Sequence, residues 1–140
     1  VLEGQKLIIK DLDSASPDRT YVWIPSLKAI VGGVLVSANQ HIWTADTQTI
    51  ASRENWIMAL DRMQALHPET VVPGHYLGTA PKGDAAIVFS RDYLKKFEQV
   101  LSTNKNSQAV INEMKKAYPT LKDAESLDLS AKVNTGEMKW

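Results

Sequence analysis

From Ala29 to Val36 the chain reads Ala-Ile-Val-Gly-Gly-Val-Leu-Val, without one polar side chain. A strand with one face in water alternates apolar and polar residues, and this run does not. The stretch Lys28 to Val36 therefore predicts a strand covered on both faces, inside a layered protein. Strand chemistry also precedes it. Leu7, Ile8, Ile9 and Leu12 form an apolar run, and Thr20-Tyr21-Val22-Trp23-Ile24 is β-branched and aromatic. Ser14-Ala15-Ser16-Pro17-Asp18 and Pro25-Ser26 punctuate these segments as turns, because proline presets φ and Ser and Asp bond back to the backbone.

Beyond the polar stretch from Ser37 to Thr49 the period changes. Ser52 is a candidate N-cap for a helix running to about Leu66, with Trp56, Leu60 and Met63 on one face and Ile57 beside them. Pro68 stops it. Thr70-Val71-Val72 predicts a short strand that leaves through Pro73-Gly74-His75. Asp84 then caps a helix to about Leu101, whose stripe of Phe89, Tyr93, Phe97 and Val100 reads as core. Asn104 to Asn106 is a break, and Ser107 caps a shorter helix bearing Val110, Ile111 and Met114. A last short helix falls near Ala124 to Ala131. Strands, then helix, strand and helices predict an α/β or α+β fold: a mixed sheet backed by helices 52–66 and 84–101.

Composition narrows the function classes. A chain of 140 residues can bury roughly 68–70% of its unfolded surface, enough for a core. Sixteen basic residues balance sixteen acidic ones, and no basic stripe marks a nucleic-acid partner. With no cysteine there is no disulfide framework, thiolate zinc site or thiol nucleophile. The apolar run from Ala29 to Ala38 is far short of the roughly 20 residues of a membrane span. The chain begins at Val1, which reads as a cut start, so the lack of a visible leader leaves cytoplasm and periplasm both open.

Three histidines are the main candidates for chemistry. His67 precedes Pro68 at a helix end and reads as an exposed residue that favours the helix C-terminus electrostatically. His75 follows a short strand, and Gly74 frees the turn before it, so its ring is expected in the crevice at the strand ends. His41, Asp46 and Asp18 carry N and O donors of the kind that bind divalent metals. Loop 37–47 should lie near the crevice, with His41, Trp43 and Asp46 as pocket residues. The bland alternative is that His41 and Trp43 pack the loop and Asp46 caps a turn. Ser26 and Ser130 lack a His–Asp partnership, and Gly32-Gly33 lacks a phosphate-loop pattern.

The stretch from Trp56 to His75 resembles the end of the metallo-β-lactamase superfamily core. A Trp-led helix there precedes Leu66-His67-Pro68-Glu69-Thr70-Val71-Val72-Pro73-Gly74-His75. Tyr21-Val22-Trp23-Ile24-Pro25 and Ile30-Val31-Gly32-Gly33 are similar to the strand pair before it. The resemblance covers roughly residues 3 to 80. It implies half of an αββα sandwich over residues 1–83, with residues 84–140 as a helical extension packed on it. It also implies a metal-dependent hydrolase of an ester, lactone, thioester or β-lactam, with zinc or another divalent metal in the intact parent and His75 as a ligand.

The same resemblance exposes what this stretch lacks. Members carry an His-x-His-x-Asp-His cluster in their N-terminal half, which has no counterpart here. A histidine ligand would fall at Ala15 and a bridging Asp or Cys at Val34, neither of which binds a metal. Catalytic zinc takes three protein ligands and an open position. The expectation is therefore a chain inactive as an isolated piece, which joins a missing N-terminal half or a second copy of itself. The alternative is a scaffold that has lost catalysis and works as a binding or interaction module.

Overall fold

A computed structural model describes residues Val1–Trp140. The fold is α+β: a mixed four-stranded sheet and four helices. The strands are β1 (Ile8–Lys10), β2 (Tyr21–Ile24), β3 (Ala29–Val31) and β5 (Thr70–Val72), in the order β1-β2-β3-β5. The first two pairings are antiparallel, and β3 runs parallel to β5. A second, two-stranded sheet pairs β4 (Ser37–Ala38) in parallel with β6 (His75–Tyr76).

The strand expected over Lys28 to Val36 is interrupted. It ends at Val31, and Gly33, at φ +55°, starts a 3-10 turn over Gly33–Leu35. The amides of Leu35 and Val36 donate to the carbonyls of Gly32 and Gly33 instead of to a neighbouring strand. The apolar run thus covers two levels of the molecule: Ile30 faces the helices from the sheet, while Leu35 and Val36 plug the core below the turn. Composition alone did not reveal this break, because a glycine pair is compatible with both a strand end and a strand interior.

Helix α1 (Ile50–Ala65) starts earlier than expected. Thr49 is its N-cap, and Ser52 is the reciprocating N3 residue of a capping box: Thr49 Oγ1 accepts from the Ser52 amide and Ser52 Oγ from the Thr49 amide. Trp56, Leu60 and Met63 are buried along one face, as their spacing required. Helix α2 (Ala85–Thr103) buries Tyr93, Leu94 and Phe97. Asn106, not Ser107, caps α3 (Ser107–Ala117), and Asp123 caps α4 (Ala124–Asn134). One cluster of buried side chains runs from Ile30 and Val71 of the sheet through Trp56 and Leu60 of α1 to Leu94, Met114 and Leu127 of the later helices. Residues 84–140 therefore share a core with residues 1–83.

Register assigns the two faces of the large sheet. Ile8, Trp23, Ile30 and Val71 are cross-strand partners on the helix side. Ile9, Val22, Val31 and Val72 make the next row, on the opposite side, where no helix covers them.

Candidate functional site

The site is built where β5 ends. Gly74 passes so close to Gly33 that its amide donates to two carbonyls, Gly33 at 3.1 Å and Val36 at 2.9 Å. That contact and the β4–β6 pairing bring His75 beside Ser37 and next to the turn that carries Val34. Val34, Ser37 and His75 line one cavity of about 300 Å³, together with Arg19, Gln40, Trp43, Asp46, Trp56 and Asp123 among others. His75 is exposed at its mouth, as the strand–Pro–Gly–His order suggested.

Loop 39–47 forms the opposite wall, and the last helix holds it there. The His41 amide donates to Lys122, the Thr44 amide to Ser130 Oγ at 2.8 Å, and Asn134 Nδ2 to the Thr44 carbonyl. Ser130 is thus a buried acceptor, a structural part of the loop anchor. These bonds set Trp43 and Asp46 on the cavity wall. Trp43 also meets the Trp140 ring edge-on, 4.7 Å between centroids.

His41 does not belong to this wall. It is buried, with Nδ1 2.9 Å from the Tyr93 hydroxyl and its ring edge-on to that phenol. Burial, reinforced by the charge of Lys115, holds its pKa below the usual histidine value, while Asp123 opposes. A histidine pressed into the core as a neutral hydrogen-bonding partner cannot turn to the cavity, so its expected place in the pocket and as a possible ligand is corrected. Asp18 is exposed and lines neither this cavity nor the larger cleft beside it. His67 is exposed in the left-handed region, φ +52°, just past the end of α1.

The donor set does not fit a metal ion in this chain. No three His, Asp or Glu side chains come together closely enough to hold one. Asp46 is already engaged: Arg19 Nη2 lies 2.8 Å from its Oδ2. The Arg19 guanidinium rests over the Trp56 ring, 4.9 Å from its centroid. Asp123 turns its carboxylate to Ser126, at the start of α4. Sequence reasoning missed Arg19 and Asp123. Arg19 stands in a turn where any polar residue is unremarkable, and only the packing of the turn on α1 brings it to Trp56.

The chain matches no protein-family model and no curated protein.

Proposed function

We propose that this chain is the C-terminal half of a metallo-β-lactamase-like scaffold in which the His75 cavity binds a small molecule without a metal centre. The Arg19–Asp46 pair carries this reading. The guanidinium pairs with the one acidic side chain of loop 37–47, so Asp46 is engaged rather than free to join His75 as a ligand across the cavity. Ala15 and Val34, where the resemblance would put further ligands, supply no donor. What remains is a mostly polar pocket, with Val34, Ile42, Trp43 and Trp56 as its apolar part, of a size at the lower end for small-molecule sites.

A second reading has its own support. Val34 and His75, two of the positions at which the resemblance would put metal ligands, line the same cavity. On that reading the intact parent is a metal-dependent hydrolase of an ester, lactone, thioester or β-lactam. The remaining ligands then belong to an N-terminal half. One experiment separates the two. Metal content and hydrolysis are measured in the intact parent, in its His75→Ala variant and in its His67→Ala variant. A metal-free pocket predicts near-zero stoichiometry in all three. A metal-bearing parent that loses metal and hydrolysis in His75→Ala alone would overturn the binding-module reading.

A further inference from the structure

The largest cavity of the molecule is a cleft of about 870 Å³ between α1 and the chain that runs from β1 into the turn before β2. Its lining is mainly apolar, with Leu12 and Ala15 on one side and Trp56, Met58 and Leu66 on the other. Arg62 at its rim is committed to Asp11, donating to both carboxylate oxygens, at 3.3 and 2.8 Å. Arg19 is different. It lines this cleft as well as the smaller cavity, it is 12% exposed, and it meets one carboxylate through one nitrogen. Its side-chain Nε and Nη1 donate to no protein acceptor, and neither is sealed away as an unsatisfied buried atom.

A guanidinium laid on an indole face is held in one orientation, so its Nε–H and Nη1–H groups stand ready as single donors to a carboxylate. We propose that this cleft binds a small organic acid with an apolar body. The ligand's carboxylate accepts from an unused N–H group of Arg19, and its body lies on Trp56, Met58 and Leu12. Charge complementarity selects the head group. Asp11 is paired with Arg62, Lys10 and Asp13 at the cleft are of opposite sign, and Arg19, largely buried, meets its carboxylate through one nitrogen only. Charge-assisted hydrogen bonds to such a group are shorter and stronger than neutral ones. The proposal is independent of whether the parent carries a metal, since His75 does not line this cleft.

The test uses sodium octanoate as the probe, with 1-octanol and octyltrimethylammonium as matched-chain controls. Binding is followed by calorimetry and by tryptophan fluorescence. Octanoate should bind with saturation, with the alcohol weaker and the ammonium weaker still. Arg19→Gln should weaken octanoate by about tenfold or more and leave the alcohol unchanged, since a hydrogen bond to a charged group is at stake. Met58→Asp adds a negative charge at a half-exposed wall position, where the fold tolerates it, and should also weaken octanoate selectively. It serves as the decisive variant should Arg19→Gln fail to fold. No saturable octanoate binding, or equal binding of acid and alcohol, would overturn the proposal. So would octanoate affinity that survives Met58→Asp but is lost in His75→Ala, because the ligand would then occupy the smaller cavity.

Discussion

Gly74 lies against Gly33 with no room for a side chain: a Cβ on Gly74 would stand 2.1 Å from the Gly33 carbonyl oxygen and 2.4 Å from its carbonyl carbon. Backbone, unlike the end of a flexible side chain, cannot swing aside. Gly74→Ala must therefore push β5 away from the Gly33 turn, and with it His75 away from Val34. The expected loss is about 3 kcal/mol, at the upper end for overpacking. Gly78→Ala is the comparison. Nothing lies within 4 Å of its Cβ, but its φ of +73° makes alanine strained, so it should lose about 1 kcal/mol. Urea unfolding of both variants checks the order, and equal losses would show that the close approach is not tight.

Arg53 is the most completely used charge in the molecule. Its side chain is 5% exposed, bonds to both Glu98 oxygens, and donates through Nη1 to the Thr47 carbonyl at 2.9 Å and to Asn134 Oδ1. It ties α1 to α2 and to the end of α4. Arg53→Leu keeps the apolar stem but leaves Glu98 and a buried carbonyl without their donor, and should cost about 3 kcal/mol. Glu98→Gln retains an acceptor for the guanidinium and should cost about 1 kcal/mol. Thermal and urea unfolding of the two variants would expose a reversed order.

His41 gives the fold a pH dependence whose sign follows from its burial. The folded state holds its pKa below the ordinary value of about 6.5, so the unfolded chain binds the proton more readily. The stabilisation is complete above that ordinary value. It is lost as pH falls from there towards the lower folded-state pKa. Urea midpoints measured between neutral pH and pH 5 should therefore fall on acidification. His41→Asn, which keeps a hydrogen-bonding group near Tyr93, should flatten that part of the profile. A variant with an undiminished slope would assign the effect to another group.

The parts of this fold that repeat a simple period could be read from the residues. The stripe of Trp56, Leu60 and Met63 and the strand Thr70–Val72 lie where spacing and composition put them. Asp84 and Ala124 stand where the starts of α2 and α4 were expected, whereas the starts of α1 and α3 were off because Thr49 and Ser52, and Asn106 and Ser107, are competing caps close in sequence, and the choice depends on which hydroxyl or amide meets the helix amides. The site was legible only in part. His75 could be placed because a strand end and a glycine define its position locally. His41 could not, because its fate was decided by Tyr93, 52 residues away on α2. Arg19 and Asp46 form a pair across two loops, and nothing local in either loop announces it.

The uncovered face of the large sheet should make this chain associate. Ile9, Val22, Val31 and Val72 are direct cross-strand partners and form one aliphatic row across all four strands. Ile9 is 55%, Val31 41% and Val72 46% exposed, far above their counterparts on the helix side, where Ile30 is 0% and Val71 5% exposed. Ile24 extends the row, Ala29 beside it is already buried, and Thr70 is the polar neighbour on that face. No charge in these strands points that way to oppose docking. At about 25 cal/mol per Å², covering a few hundred Å² of such surface is worth several kcal/mol. A second copy presents the same face, and two sheets packed face to face about a twofold axis would bury both rows together. Light scattering of the purified chain should give a mass above that of one chain at micromolar concentration, falling on dilution. Val31→Lys should return it to a single chain with an unchanged circular dichroism spectrum, because position 31 does not face the core. A wild-type chain that stays single at every concentration would show that the open face is tolerated in water.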